Sequence, residues 1–244
     1  MQRILSLTRK CVQEYEMIQD GDRIAVGVSG GKDSVLLLAA LHGLSRFYPK
    51  KFSLHAITID MGMGMDFSPI ADFCTSMNIG HTVIPSNLKE IIFDIRKESN
   101  PCALCAKMRR GMLNDAVKDL GFNKVALGHT FDDAVETFML SQVFEGRISC
   151  FMPVTYLDRS DLTTIRPLLY INEGQIRGIV RRENLPIVKN PCPANGNTKR
   201  QEIKELLKEM NDRYPGYRER IFTSMQRLPL DGWKITGETR NNKV

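Results

Sequence analysis

Apolar and polar positions along the chain alternate between two periods. Over residues 4–18 the apolar positions recur at helical spacing, and Asp20-Gly21-Asp22 then marks a turn. Beyond that turn, short apolar runs with strand character at about 23–28, 53–59, 81–85, 124–127 and 163–165 are separated by helical patterns. Alternation of this kind predicts an α/β fold: a doubly wound, Rossmann-like parallel sheet with right-handed crossovers. After Pro167 the pattern is helical, interrupted by a turn-rich break at 191–198 and resuming over 199–210. The organisation expected is an N-terminal helix over 1–20, an α/β domain over 21–190 and a small helical C-terminal appendage over 191–244.

In an open doubly wound sheet a ligand binds outside the carboxyl ends of the strands, near the point where strand order reverses. Three loops occupy such ends. The first, Ser29-Gly30-Gly31-Lys32-Asp33-Ser34, joins an apolar strand to an apolar helix. Its adjacent glycines let backbone amides approach an anion, Lys32 adds a positive charge, and the helix N-terminus adds its dipole. A polyphosphate is the anion expected, although the spacing is not that of the G-x-x-x-x-G-K-[ST] loop. The second loop follows Asp60, and the third runs from Gly128 through His129, Thr130, Asp132 and Asp133. Taken alone, Asp132 and Asp133 suit either metal chemistry or the capping of a helix that starts at Thr130, and Asp60 suits a strand-ending turn.

The chain has 244 residues, 42% of them apolar and 25% charged, as in a soluble globular protein. Arg3, Arg9, Lys10, Glu14 and Glu16 break up the first twenty residues, so neither a signal peptide nor a membrane span is expected and the cytoplasm is the expected compartment. A formal charge of +6 permits a polyanionic partner. Basic residues gather near the C-terminus, among them Lys199, Arg200, Lys204, Arg213, Arg218 and Arg220, with Tyr214 and Tyr217 between them. They read either as an RNA-binding surface or as a solvated face paired with Glu202, Glu205 and Glu209.

Six cysteines in a reducing compartment are metal ligands, reactive thiols or buried fillers. Cys102 and Cys105 fall in the first turn of a helix that opens at Asn100-Pro101, on one face, with Arg109 extending the same stripe. The helix dipole and Arg109 both favour thiolates there. Cys192 lies in the turn-rich break, whereas Cys11, Cys74 and Cys150 have packing contexts. A closed zinc site would need a fourth ligand such as His81 or His129; an iron–sulfur cluster can be held by three cysteines with one iron left open.

The S-G-G-K-D-S string resembles the signature of the PP-loop ATP pyrophosphatases, and Ala126-Leu127-Gly128-His129-Thr130-Phe131-Asp132-Asp133 resembles their second block. With the C-x-x-C helix continuing into Arg109-Arg110-Gly111-Met112-Leu113, the Ile165-Arg166-Pro167 string and Pro186-Ile187-Val188 leading to Cys192, the chain resembles the tRNA 2-thiocytidine synthetase family over about residues 21–230. That resemblance implies ATP bound by Ser29 to Ser34 with Gly128 and His129, Asp60 near the adenosine, and Mg²⁺ held with help from Asp132 or Asp133. It implies a four-iron four-sulfur cluster on Cys102, Cys105 and Cys192, with Arg109 an electrostatic stabiliser and Asp133 catalytic. The substrate implied is a tRNA loop pyrimidine, the sulfur coming from a desulfurase persulfide or free sulfide. One departure is Asn195, where the family often carries a further cysteine. Nitrogen-transferring PP-loop enzymes and a zinc-stabilised nucleotide-binding module are the alternatives; three cysteines disfavour the first and intact acidic motifs the second. A homodimer is expected from the need of the N-terminal helix for a surface to pack on.

Overall fold

The computed structural model describes residues 1–96, 101–189, 191–192, 199–227 and 232–233. Its centre is a six-stranded sheet of order β3-β2-β1-β4-β6-β5, formed by β1 (Asp22–Gly27), β2 (Phe52–Asp60), β3 (Gly80–Pro85), β4 (Lys124–Ala126), β5 (Val154–Leu157) and β6 (Leu162–Ile165). All neighbours pair in parallel except β5, which runs antiparallel to β6 at the edge. Chain order reverses at β1, whose neighbours are β2 and β4, so the ends of β1 and β4 frame the crevice. The edge strand β5 is an addition to the five expected strands. Its Val-Thr-Tyr-Leu run is too short and too exposed to stand out as an apolar segment.

Alternation along the strands directs two sets of side chains to opposite faces. Ile24, Val26 and Val28 join the main core with helix α2 (Lys32–Ser45), while Ala25, Ile57, Val125 and Leu162 pack on Leu113, Ala116 and Val117 of helix α4 (Pro101–Asp119). Helix α2 is buried from Ser34 to Leu41, which explains why it is apolar on every side. It lies between the sheet and two outer helices, α1 (Gln2–Glu14) and α6 (Glu173–Arg182). The remaining helices are α3 (Ser68–Ser76), α5 (Phe131–Glu145), α7 (Lys199–Arg213) and α8 (Tyr217–Arg227), with a π-helical turn at Glu90–Ile95.

The helices at the two ends of the chain share the main core. Helix α1 seats Ile4, Cys11 and Val12 in the main core, so its apolar face is covered by its own chain and the argument for a dimer from that face lapses. Ile203 and Leu207 of α7 and Ile221, Phe222 and Met225 of α8 enter the same core, so the two C-terminal helices pack on the α/β unit. Among the described residues no helix is long and apolar enough to cross a membrane. Asn100, the expected helix cap, and Asn195 lie outside the described residues.

Candidate functional site

The phosphate loop is closed by hydroxyls. Ser34 Oγ accepts from the Ser29 amide at 3.1 Å, stands 3.2 Å from Ser29 Oγ and donates to the Gly31 carbonyl at 2.9 Å. Gly31 caps α2, and Lys32 and Asp33 begin it. Opposite, Gly128 ends the β4 segment so close to the loop that a Cβ there would lie 3.1 Å from the carbonyl carbon of Asp33 and 3.2 Å from the Ser34 nitrogen. A side chain at this position would require the facing backbone to give by a few tenths of an ångström.

Behind the loop is a cavity of about 370 Å³. Its lining comes from the ends of β1, β2 and β4, with Ser29, Asp33 and Ser34 from the loop and Gly128, His129 and Asp133 across the crevice. Ala106, Arg109, Arg110, Leu113 and Asn114 of α4 form the remaining wall. Three lining residues hold buried polar atoms without a partner: Asp33 Oδ1, Arg109 Nε and His129 Nδ1. Orphaned polar atoms converging on one cavity fit a polar ligand. His129 stacks on Phe151 at 4.8 Å, and Phe151 carries the Arg166 guanidinium at 5.0 Å on its ring. Burial, reinforced by Arg166, lowers the imidazole pKa to about 4 and keeps the ring neutral.

A second cavity, about 250 Å³, adjoins the loop and is lined almost wholly by charge. Lys32 Nζ is 3.1 Å from Asp33 and 3.4 Å from Glu173; Lys204 Nζ is 2.8 Å from Glu173. Arg200 stands 3.2 Å from Asp133 and 3.4 Å from Glu136, and Arg218 pairs with Asp132. Burial lowers the Lys32 pKa, but Asp33 and Glu173 outweigh it and raise the pKa overall. Burial also pushes the carboxyls of Asp33 and Glu136 up.

The two acids of the third loop do structural work as well. Asp133 Oδ2 accepts from the Thr130 amide and hydroxyl at 2.9 Å each, forming the capping box of α5, and leaves Oδ1 facing the second cavity. Asp132, only 7% exposed, accepts from the Glu173 amide at 2.6 Å. Asp60 is not brought to either cavity. Its carboxylate accepts from the Gly62 amide at 3.0 Å and serves the turn, while Ile57 and Ile59 of the same strand face the crevice.

The six cysteines differ in burial. Burial raises the thiols of Cys74 and Cys150, to about 11 and about 12, and that of the fully buried Cys11 further still, so these three are inert fillers. Cys102 is exposed and Cys105 half-buried in the first turns of α4. Cys105 is affected by Cys192 and Cys102, which makes the three thiols neighbours. Arg109 reaches Cys105 by charge and hydrogen bond, yet burial outweighs it and the Cys105 pKa is raised, contrary to the expectation of a favoured thiolate. Among the described residues no group of three His, Cys, Asp or Glu side chains is arranged to hold a single metal ion. His81 Nε2 is 2.9 Å from Thr58 Oγ1.

The family model of the PP-loop domain matches residues 4–210. The tRNA-cytidine(32) 2-sulfurtransferase of Geobacter sulfurreducens is 37% identical over 227 residues, 91% of this chain and 88% of that protein. This chain belongs to the tRNA 2-thiocytidine synthetase family of PP-loop proteins. The family's enzyme from Pelobacter propionicus is 38% identical over 230 residues, 93% of this chain and 86% of its own length. The fold of the family is shared with the U34-tRNA thiolase NcsA from Methanococcus maripaludis, solved with its [4Fe-4S] cluster, at a TM-score of 0.74 and 23% identity over 91% of this chain and 77% of that one. Sequence reasoning missed the contribution of Glu173, Arg200, Lys204 and Arg218 to the family's phosphate loop region. The one signal for the three basic residues was the density of positive charge in α7 and α8, and Glu173 at the start of α6 had none.

Proposed function

We propose that the protein is an ATP-dependent tRNA sulfurtransferase that converts a loop cytidine to 2-thiocytidine. The observation that carries this reading is the double use of α4: its first turns bear Cys102 and Cys105, and its next turns, through Arg109, wall the cavity behind the phosphate loop. The residues for nucleotide chemistry and for thiol chemistry are therefore carried by one helix.

The carbonyl oxygen at C2 is a poor leaving group, and ATP remedies this. That oxygen attacks the α-phosphate, the bond to pyrophosphate breaks, and an O-adenylated base forms; a sulfide equivalent then bonds to C2 and AMP departs. Amides of Gly30, Gly31 and Lys32 with the Lys32 ammonium bind the phosphates, and Ser29 and Ser34 fix the loop that presents them. Asp132 and Asp133 supply carboxylates for Mg²⁺, which offsets the charge of departing pyrophosphate. Neutral His129 and the Arg109 guanidinium offer their orphaned nitrogens to the adenylate, so that only one of the two is charged. When bound, a four-iron four-sulfur cluster on Cys102, Cys105 and Cys192 supplies an open iron for sulfide. The target base must be unpaired or flipped to reach the crevice, and the donor is free sulfide, or a desulfurase persulfide whose outer sulfur is released at the sulfide level by a reducing thiol that becomes a disulfide.

Mass spectrometry of nucleosides from tRNA with and without the gene tests the reading. Loss of 2-thiocytidine alone is expected, and Cys102→Ala should fail to restore it. An unchanged set of thionucleosides would refute tRNA thiolation.

A further inference from the structure

Every carboxylate oxygen of Asp132 and Asp133 is already engaged. Asp132 accepts from the Glu173 amide with Oδ2 and pairs with Arg218 through Oδ1, while Asp133 gives Oδ2 to the cap of α5 and Oδ1 to Arg200. The two arginines differ in freedom. Arg218 lies over the Phe131 ring at 5.9 Å with its side chain 27% exposed, whereas that of Arg200, in the first turn of α7, is 47% exposed. A single nitrogen of Arg200, Nη1, stands 3.2 Å from Asp133 Oδ1 and 3.4 Å from Oε2 of Glu136, a residue only 5% exposed. One positive centre thus serves two carboxylates. The second cavity, on which all three residues border, is lined by five carboxylates against three cations, so a triphosphate arriving alone meets net negative charge.

We propose that Arg200 is a stand-in for the metal ion of the ATP site: Mg²⁺ displaces it from Asp133 and Glu136, and the released guanidinium turns to the phosphates. This rests on the reading of the loop as an ATP site. A carboxylate buried without a cation is costly, so Arg200 leaves Glu136 only when another cation arrives. Two carboxylates, completed by water and phosphate oxygens, suit Mg²⁺. Exchange of the ion for Arg200 shifts the cavity towards positive charge, and Arg200 then joins Lys32 and Lys204, which line the same cavity, as a planar fork of donors for phosphate oxygens. Metal-free nucleotide finds this cation already occupied. Arg200 therefore makes its contribution to phosphate binding conditional on the metal.

The test uses the full chain, freed of iron and kept reduced, in two titrations. Mn²⁺ stands in for Mg²⁺, and the spin-resonance signal of the free ion reports how much is bound in the absence of nucleotide. Calorimetry with an ATP analogue carrying a methylene between its α and β phosphates is run with Mg²⁺ and without it. Arg200→Gln should bind Mn²⁺ about fivefold more tightly, because the competitor at the two carboxylates is gone. The same variant should bind the analogue about tenfold more weakly with Mg²⁺, and by about twofold at most without it. A residue that merely steadies α7 would leave Mn²⁺ affinity unchanged or lowered, and would weaken nucleotide binding equally in both conditions; either pattern would overturn the proposal. Should Arg200→Gln not fold, Glu136→Gln decides: nucleotide-free Mn²⁺ binding is expected to fall by about tenfold, and undiminished binding would overturn the exchange. No binding of the analogue to the unaltered chain in either condition would overturn the ATP reading beneath it.

Discussion

Lys204 Nζ lies 2.8 Å from Glu173 Oε2, while the other oxygen of that carboxylate is 3.4 Å from Lys32. One carboxylate thus ties a C-terminal helix to the phosphate loop. The hydrogen bond from Lys204, with the charges of Lys32 and Arg177, holds the Glu173 carboxyl below the ordinary range. Glu173 also competes with a phosphate for Lys32. Glu173→Gln should therefore strengthen metal-free ATP binding by about fivefold, the effect of removing one charge at this range in a partly solvated site. Calorimetry with and without Mg²⁺ measures this; weaker metal-free binding would mean that the bridge organises the loop more than it repels the nucleotide.

A pH dependence follows from His129. Its folded pKa, about 4, lies below the 6.5 of an unconstrained imidazole. The unfolded chain therefore binds the extra proton between these values, and stability rises with pH through that window. The contribution is complete above pH 6.5 and is lost on the way down to pH 4. It amounts to roughly 3 kcal/mol at most. Urea unfolding at pH 5 and pH 7 should show a smaller stability difference in His129→Gln than in the unaltered protein.

Gly128→Ala tests the crevice. The added methyl would meet backbone atoms of Asp33 and Ser34 at 3.1 to 3.2 Å, and neither can swing aside as a flexible side chain would. A loss of about 1–3 kcal/mol in stability is expected from the overpacking. ATP affinity should fall by about tenfold, because the loop amides are displaced by a few tenths of an ångström. Thermal unfolding and nucleotide titration read the two effects separately.

Arg109 partly counteracts burial at Cys105 by charge and hydrogen bond. In Arg109→Gln the thiol should titrate higher still, and its alkylation at pH 8 should slow by about threefold. Faster alkylation would show that Arg109 shields the sulfur more than it activates it.

Much of this was legible from spacing because it depends on neighbours in sequence. The strands came from apolar runs, the phosphate loop from adjacent glycines and lysine at a strand end, and the thiol pair from a helix opening at Pro101. What escaped depends on burial and distance. Arg200 and Lys204 read either as part of an RNA-binding surface or as solvated helix charges, yet they neutralise Asp133, Glu136 and Glu173 across the crevice. Asp60 sits at the right strand end, but a carboxylate at a turn can satisfy the turn's own amide, and this one does. The Cys105 pKa turned on a burial cost that no local pattern reveals.

The cysteine pair and the cavity wall share one uninterrupted helix, Pro101–Asp119. Such a helix works as a ruler and a phase wheel together, since each residue advances about 1.5 Å and turns about 100°. A single residue inserted between Cys105 and Arg109 would therefore lengthen the span only slightly but swing the sulfurs away from the crevice by more than a quarter turn. Four inserted residues would nearly restore the angle while moving the sulfurs about 6 Å along the axis. The distance over which sulfur must meet an activated base is thus encoded as a residue count in one helix, open to change only in steps of whole turns.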